Sequence, residues 1–247
     1  MKIEVLTSGI WQTTSTILED GGSCLVVDPG YFPRELDAIT ARVGELGRAE
    51  AVVFTHGHWD HVMGHTALDA PVWLSATLEA SIALGDPRTA KYLDEAREFD
   101  SRWYVPRPHG HRWPVRRRGL ADGETLSLGN ETIRVLHLPG HSPDGLGLVV
   151  GDTLLVGDYL SPCEIPFVDE LAAYRATLVR LLDVIATEVH QVIPGHGPRL
   201  TRDEAAAIAR ADLAYIDQLI AGDEAPLPRA ADVVGMVDHH RVNLSKR

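Results

Sequence analysis

The sequence predicts an α/β fold in which two β-sheets pack face to face with helices on their outer sides, in one domain over residues 1–247. Short apolar runs bounded by Gly, Pro and Asp recur along the chain and are typical of strands. Segments with apolar residues at helical spacing lie between these runs. Both halves of the chain show this alternation, which favours a sandwich of two sheets.

The first half begins with strands. Five runs are predicted to be strands: "KIEVL" (2–6), "TTSTILE" (13–19), "SCLVVDPG" (23–30), "AVVFT" (51–55) and "PVWLS" (71–75). One helix is predicted over residues 33–47, because this segment opens with Pro, closes with Gly and has apolar residues at helical spacing.

The second half repeats the scheme. Four runs are predicted to be strands: "ETLSL" (124–128), "ETIRVLHLPG" (131–140), "LGLVVGDTLLVGD" (146–158) and "VHQVIPG" (189–195). Two longer segments, at about 169–187 and 202–221, have the apolar spacing of helices.

Residues 76–118 interrupt this pattern and are predicted to form an insertion or lid. The helical part, about 76–101, is followed by "WYVPRPHGHRWPVRRR", which is rich in Pro, aromatic residues and Arg. At roughly 40 residues the segment is too short to build its own core. Its side chains could clamp an anionic or aromatic substrate through cation–π and bidentate contacts, or could form a solvated loop paired with the protein's own carboxylates. The candidate substrate contacts are Trp103, Tyr104, Arg107, Arg112 and Trp113.

Composition and charge restrict the function classes. The formal net charge of −12 disfavours binding to nucleic acid or to an anionic membrane. Two cysteines, Cys24 and Cys163, exclude a disulfide framework and a Cys-based zinc finger. No apolar run approaches the ~20 residues of a membrane span, and the first residues lack the layout of a signal peptide. We therefore expect a cytoplasmic protein that acts on a small molecule.

Four predicted strand ends each deliver polar residues beside glycine. The first is "THGHWDH" (55–61), in which three histidines and one aspartate fall within seven positions. Strand ends in layered α/β folds direct side chains toward a shared crevice, and neutral imidazole with carboxylate suits zinc, iron or manganese. Seven candidates are too many for one ion with three protein ligands, so the count favours two ions. The candidates are His56, His58, Asp60, His61, His141, Asp158 and His196.

The order of these motifs, from "LVVDPG" through "THGHWDH" and "PGHSPDG" to "PGHG", resembles the metallo-β-lactamase superfamily, and within it the glyoxalase II-like branch. The resemblance covers nearly the whole chain and implies a four-layer αβ/βα sandwich. It implies that His56, His58 and His141 hold one divalent ion, that Asp60, His61 and His196 hold the other, and that Asp158 bridges them. Zinc is the expected metal, with iron or manganese as alternatives, and a hydroxide between the ions would be the nucleophile.

Further roles are expected for residues beside the ligands. Asp28 in "VVDPG" resembles the family aspartate that supports the metal loop, and it would orient a ligand imidazole. Asp60 is expected to be essential for catalysis. Tyr159, directly after Asp158, could donate a hydrogen bond to the oxyanion or could simply pack. His239 and His240 are expected at the surface, where a homodimer could bring them near another subunit's pocket.

The function implied by the resemblance is hydrolysis of a small carboxylic ester, thioester or lactone. Alternatives left open are a phosphodiesterase and a mononuclear-iron enzyme similar to persulfide dioxygenases. A β-lactamase and a metal-binding module without turnover are minor alternatives. The clustered C-terminal basic residues that bind glutathione in glyoxalase II are not evident here, which argues against a glutathione thioester as substrate.

Overall fold

The computed structural model describes residues 1–223, 225–229 and 235–246. The first of its two six-stranded sheets has its strands in sequence order, with β1 to β3 antiparallel and β3 to β6 parallel. Its strands are β1 (Lys2–Thr7), β2 (Thr14–Asp20), β3 (Ser23–Val27), β4 (Arg48–Val53), β5 (Val72–Ser75) and β6 (Arg117–Leu120).

The second sheet has the strand order β12-β11-β10-β9-β8-β7 and is antiparallel except between β10 and β11. Its strands are β7 (Thr125–Leu128), β8 (Glu131–His137), β9 (Leu146–Val150), β10 (Thr153–Leu155), β11 (Gln191–Ile193) and β12 (Leu200–Thr201). The run predicted as one strand over 146–158 is therefore a hairpin. Gly151, at a φ of +55°, takes the left-handed conformation that reverses the chain between β9 and β10.

Seven α-helices are found in the described residues: α1 (Pro33–Leu46), α2 (Trp59–Val62), α3 (Ala76–Leu84), α4 (Pro87–Trp103), α5 (Leu171–Thr187), α6 (Arg202–Ala221) and α7 (Met236–Leu244). The start of α6 is fixed by a capping box, in which Thr201 and Glu204 each satisfy the other's backbone N–H. None of these helices combines the length and apolar character needed to cross a bilayer.

The layers follow from where the apolar side chains meet. Leu25 and Val53 of the first sheet pack against Leu148 and Ile193 of the second, which forms the core between the sheets. Helices α5 and α6 cover the outer face of the second sheet. Helices α1, α3 and α4 lie outside the first sheet. The predicted four-layer sandwich is confirmed.

The segment predicted as an insertion over 76–118 belongs largely to the body of the protein. Helix α3 packs against β5 and β6, and residues 117–118 begin β6, which pairs in parallel with β5. Only residues 104–116 form an irregular loop. The sequence signal for β6, "RRGL", was hidden because two charged residues precede its first apolar one.

Candidate metal centre

The "THGHWDH" motif lies where β4 ends and α2 begins. Strand β4 ends with the buried residues Val52 and Val53, and His56 and His58 follow in the loop after it. His58 is the N-cap of α2, so Asp60 and His61 fall in the first turn of this short helix. The change from extended chain to helix directs all four side chains toward one volume.

The other candidates arrive from the second sheet. His141 follows β8, Asp158 follows β10 and His196 follows β11, each within four residues of its strand. The bridge between Thr13 and His196 ties the third of these loops to the first sheet. The centre therefore lies between the ends of both sheets, where neither sheet alone could complete it.

Four of the seven side chains form a first donor group, made of His56, His58, His141 and Asp158. Nε2 of His56 and Nε2 of His141 lie 3.0 Å and 2.9 Å from Nδ1 of His58. Oδ2 of Asp158 lies 3.4 Å from His56 Nε2 and 3.3 Å from His141 Nε2. These four donor atoms surround one small volume.

Asp60, His61 and His196 form the second donor group. Nε2 of His61 lies 3.2 Å from Nε2 of His196 and 3.4 Å from Oδ2 of Asp60. The other oxygen of Asp158, Oδ1, lies 3.1 Å from His61 Nε2 and 3.4 Å from His196 Nε2. One carboxylate thus presents one oxygen to each donor group.

The donor separations fit metal coordination. Metal–ligand bonds of about 2.0–2.1 Å in a tetrahedral site place the ligand atoms about 3.3 Å apart. The four distances given above for the first group are 2.9–3.4 Å, and those among Asp60, His61, His196 and Asp158 Oδ1 are 3.1–3.5 Å, all close to that value. Both groups therefore fit a divalent ion, and imidazole with carboxylate matches zinc, iron or manganese.

Two of the imidazoles are oriented through Asp28, the residue for which the family resemblance implied such a role. Its Oδ2 lies 3.0 Å from Nδ1 of His61 and accepts a 2.6 Å hydrogen bond from Oγ1 of Thr55. Because a carboxylate can only accept, His61 carries its proton on Nδ1 and presents a free Nε2. The Thr55 hydroxyl lies 3.0 Å from Nδ1 of His56 and fixes that ring in the same way.

Backbone carbonyls orient two further imidazoles. Nδ1 of His196 donates to the carbonyl oxygen of Trp11 at 2.9 Å, and Nδ1 of His141 donates to that of Phe167 at 2.9 Å. Carbonyl oxygens accept only, so Nε2 of each ring is left free for a metal. His58 is the exception among the five, since it presents Nδ1.

Electrostatics at the centre favour a cation. The Asp158 side chain is only 8% exposed, and among the described residues no N–H or O–H group donates a hydrogen bond to its Oδ1. Burial raises the pKa of Asp158, but the surrounding imidazoles outweigh burial and hold it well below its usual range. Burial lowers the pKa of His196, yet the Asp158 carboxylate raises it to about 10. In His58, burial and the neighbouring His56 and His141 lower the pKa well below its usual value, which keeps the ring a neutral donor.

Gly195, in "PGHG", is required by the closeness of Asp158. A Cβ at position 195 would lie 2.3 Å from Asp158 Oδ1, so any larger residue would displace the carboxylate that faces both donor groups. The glycines beside the ligands therefore serve close approach as well as turning.

The centre opens into a cavity of about 730 Å³. The ligands His58, Asp60, Asp158 and His196 form its floor. Its walls come from five separate segments of the chain and include Trp11, Trp59, Glu95, Cys163, Glu164, Phe167, Met236 and His239.

Several of these wall residues were not predicted from the sequence. Trp11 lies in the turn between β1 and β2, where nothing in the sequence marks it as functional. Phe167 and His239 stack with ring centroids 3.6 Å apart, although His239 was predicted as a surface residue that only a homodimer could bring near a pocket, that of another subunit. His239 is indeed exposed, but it lies at the cavity rim. Since the residues come from separate segments, only folding brings them together.

The catalytic role considered for Tyr159 is not supported by its contacts. Its hydroxyl donates to the carbonyl oxygen of Pro139 at 2.7 Å and accepts from the backbone N–H of His141 at 3.0 Å. The ring is buried against Tyr174, with centroids 4.6 Å apart. Tyr159 therefore positions the loop that carries His141, and its proton is already engaged.

The substrate role considered for five residues of the 103–118 segment is likewise corrected, because none of the five lines the cavity. These residues are Trp103, Tyr104, Arg107, Arg112 and Trp113. Arg107 is buried, stacks on Tyr31 at 4.1 Å and donates to Asp100 at 2.6 Å. Trp113 donates to the carbonyl oxygen of Thr89.

The other three candidates point to solvent. Trp103 and Tyr104 are 60% and 92% exposed, and Arg112 is exposed as well. In sequence, a segment rich in arginine and aromatic residues resembles a binding surface. Here the buried guanidinium of Arg107 instead anchors the loop to helix α4 through Asp100.

Comparisons with known proteins agree with this geometry. A model of the Metallo-beta-lactamase superfamily matches residues 8–216, a range that contains all seven candidate ligands. The chain is 30% identical over 194 residues to a "Probable metallo-hydrolase" of Burkholderia pseudomallei (strain 1710b), with 66% of this chain and 62% of that protein covered. The chain thus spans less than two thirds of that relative.

Two other relatives are covered more fully. Identity is 28% over 218 residues with the hydroxyacylglutathione hydrolase GloC of Haemophilus influenzae, covering 81% of this chain and 93% of the relative. It is 28% over 196 residues with the "Probable polyketide biosynthesis zinc-dependent hydrolase PksB" of Bacillus subtilis (strain 168), covering 75% and 73%.

Solved structures show the same fold. The di-iron-bound form of TTHA1623 superposes with a TM-score of 0.59 at 29% identity, covering 82% of this chain and 96% of that one. An archaeal superfamily protein from Sulfolobus tokodaii superposes with a TM-score of 0.66 at 17% identity, covering 99% and 97%. At that lower identity the likeness concerns the fold alone.

Proposed function

The chain belongs to the metallo-β-lactamase superfamily, and from that premise we propose that it is a metal-dependent hydrolase of a small carboxylic ester, thioester or lactone. The observation that carries the proposal is the division of Asp158, whose Oδ1 faces Asp60, His61 and His196 while its Oδ2 faces His56, His58 and His141. Both donor groups open into the same cavity.

The seven side chains would hold two divalent ions, one in each donor group. Zinc is the proposed metal, as in the name of the Bacillus relative, with iron or manganese as alternatives. When bound, such ions lower the pKa of water toward neutrality and polarise an acyl carbonyl.

The chain's own residues prepare this chemistry. Asp28 and the carbonyl oxygens of Trp11 and Phe167 hold the imidazoles in the tautomer that leaves Nε2 free. Fixed donors need no reorganisation during the reaction, which is the main advantage of a preorganised site. The apolar walls exclude water around the acyl group of a bound substrate.

A protein nucleophile is not required. Cys163 lies in the cavity wall, but burial and the neighbouring Glu164 raise the pKa of its thiol, so that little thiolate is present near neutral pH. This favours activated water as the attacking group.

The acyl substrate class rests on the relatives and on the cavity. GloC is named as a hydroxyacylglutathione hydrolase, and the PksB relative as a hydrolase of polyketide biosynthesis. Against a nucleic-acid phosphodiester stand the net charge of −12 and the carboxylates Glu95 and Glu164 in the cavity wall. Against a mononuclear-iron enzyme stands the second donor group, which is as compact as the first.

The experiment measures metal content and turnover together. The purified protein, loaded with zinc, iron or manganese, is assayed against ester, thioester, lactone, phosphodiester, β-lactam and persulfide substrates. We expect two ions per chain and hydrolysis within the first three classes. One iron per chain with persulfide oxidation, or bound metal without turnover across all classes, would contradict the proposal.

Variants test the dinuclear centre directly. Asp60→Ala and His196→Ala should each lower hydrolysis by more than about 100-fold, because loss of even an outer-shell partner costs 10–100-fold. The matched control is His109→Ala, an exposed histidine that does not line the cavity. Circular dichroism reports the fold, and normal turnover in the Asp60 or His196 variant would exclude the two-ion mechanism.

A further inference from the structure

A second cavity, of about 320 Å³, adjoins the large one. His58 and the stacked rings of Phe167 and His239 line both cavities, which are therefore two lobes that share a metal ligand. We name the large cavity the apolar lobe and the smaller one the cationic lobe. The cationic lobe is lined further by Arg88, Lys91, Tyr92, His141, Ser142, Val168, Asp169, Val242, Asn243 and Lys246.

The cationic lobe differs in charge from the rest of the protein. Arg88, Lys91 and Lys246 line it against one carboxylate, Asp169, so its lining carries +2 (three cations minus one anion) in a chain of net charge −12. Asp169 lies 3.7 Å from both Arg88 and Lys246. One carboxylate cannot neutralise both, so positive charge is left over in the lobe.

Lys91 has its own carboxylate neighbour, Glu95, at 3.6 Å. Glu95 lies one helical turn further along α4 and lines the apolar lobe rather than the cationic one. Counting Glu95 as well leaves a balance of +1. Because the Lys91 side chain is 71% exposed, this pair is loosely held and Lys91 remains available to a ligand.

Two hydroxyl-bearing residues, Ser142 and Tyr92, line the cationic lobe close to the metal ligands. Ser142 follows His141 directly in the chain. The ring of Tyr92 meets that of His58 edge to face, with centroids 5.0 Å apart. The wall of the cationic lobe is therefore continuous with the metal centre at His58 and His141.

The apolar lobe has the opposite character. Trp11, Trp59 and Met236 line it, and no lysine or arginine of the described residues lines it. Its wall therefore offers an anion no cationic side chain and leaves the aromatic surface to an uncharged group. The two lobes therefore select opposite ends of one molecule.

We infer that the substrate is a two-part acyl compound whose apolar acyl group lies in the apolar lobe and whose leaving group, bearing a carboxylate or phosphate, lies in the cationic lobe against Arg88, Lys91 and Lys246. The scissile carbonyl then lies beside His58, which both lobes share. This inference rests on the proposed hydrolase function. It assigns the anion contacts to Arg88, Lys91 and Lys246 in place of the arginines of residues 103–118.

The reaction is a simple hydrolysis. The bond from the acyl carbon to the sulfur or oxygen of the leaving group breaks, and a bond from that carbon to a water oxygen forms. One water proton goes to the leaving thiol or alcohol. The products are a carboxylic acid and a thiol or alcohol that bears the carboxylate or phosphate group. No oxidant or reductant is needed.

The kinetic test uses two thioesters with the same acyl group. Phenylacetyl thioesters of 3-mercaptopropionate and of 3-mercaptopropionamide differ only in the charge of the leaving group. The metal-loaded protein should show a higher kcat/KM for the anionic thioester. Arg88→Gln and Lys91→Gln should each lower that preference about 2- to 5-fold, as expected for partly exposed charge pairs, and the double variant should nearly abolish it. The control is Lys2→Gln, on β1, whose lysine pairs with Glu4.

A binding test keeps this inference separate from the proposed function. The inert thioethers 3-(phenethylthio)propionate and its amide are titrated into the metal-loaded protein by calorimetry. The carboxylate should bind more tightly, the difference should shrink as salt rises, and it should be lost in the Arg88→Gln/Lys91→Gln variant.

The outcomes are distinguishable. If the metal-loaded protein hydrolyses none of the ester, thioester and lactone substrates but the thioethers discriminate as described, the proposed function fails and the cationic lobe stands. If both thioesters are hydrolysed equally well and the thioethers bind equally, the inference is overturned and the hydrolase proposal stands. A preference that persists in the double variant would place the carboxylate on the metal centre and would also overturn the inference.

Discussion

The same tripeptide, His-Gly-His, occurs twice in the chain and has two different fates. In residues 56–58 the imidazoles point at each other, with Nε2 of His56 3.0 Å from Nδ1 of His58. In residues 109–111, Gly110 takes a φ of +68°, His109 is exposed and His111 turns to Asp100, 2.7 Å away. Identical residues therefore contribute to a candidate metal centre in one place and, through His111, to a structural contact in the other.

The difference lies in what surrounds each tripeptide. The first is joined by donors from the ends of β8, β10 and β11, and Asp158 faces five imidazoles at its centre. Around the second, the buried Asp100 accepts hydrogen bonds from Tyr31, Arg107 and His111, which use up its lone pairs. Each region is thus organised by one carboxylate. The centre around Asp158 has ligand atoms that are free to bind an ion. In the centre around Asp100 the hydrogen bonds of the carboxylate are complete, and this centre stabilises the fold.

Removing the carboxylate of the first region should have the largest effect. Asp158→Asn removes the negative charge that both donor groups share, so we expect metal content to fall and hydrolysis to drop by more than about 100-fold. Metal analysis and kcat/KM measure the effect, with circular dichroism to confirm folding. Retention of both ions with normal turnover would show that Asp158 does not organise the centre.

Removing the carboxylate of the second region should affect stability instead. Asp100→Asn leaves Arg107 buried beside an amide, and losing one partner of a buried pair costs about 3 kcal/mol or more. Urea unfolding should show this loss, while metal content and kcat/KM in the folded protein stay unchanged. A large fall in turnover at unchanged stability would contradict the assigned role.

The pH dependence of unfolding sharpens the same prediction. Burial raises the pKa of Asp100, but its hydrogen bonds with Arg107, Tyr31 and His111 outweigh burial and lower it. A lowered folded-state pKa contributes stability that is present above the unfolded value of about 3.9 and is lost as pH falls through the folded value. The Asp100→Asn variant should therefore lose less stability than the parent protein between about pH 5 and pH 3.

The smallest effect is expected at the exposed end of the second region. Trp103→Ala and Tyr104→Ala change side chains that are 60% and 92% exposed and lie outside both lobes. Unfolding free energies should change by less than about 0.5 kcal/mol, and kcat/KM for the thioesters should stay within about 2-fold. A KM that rises markedly in either variant would restore the role of this segment as a substrate clamp.

Much of the fold could be predicted because its signals are local. The helices at α5 and α6 begin within two residues of the predicted limits, since apolar spacing and caps are written in neighbouring residues. The short strands β6 and β12 could not be predicted, because each is stabilised by pairing with a strand from elsewhere in the chain. The hairpin of β9 and β10 was merged into one strand because its exposed turn interrupts the apolar run only at Gly151 and Asp152.

The sequence by itself determined the donor set, because histidine and aspartate beside glycine at strand ends are recognisable one motif at a time. The family resemblance implied how those donors divide around Asp158, and the distances in the structure agree with that division. Only the tertiary structure decided which imidazole nitrogen each histidine presents and which residues line the two lobes. Trp11, Arg88, Phe167 and His239 lie far apart in sequence and carry no shared motif. Their roles depend on distances across the sandwich, which chain order does not encode locally.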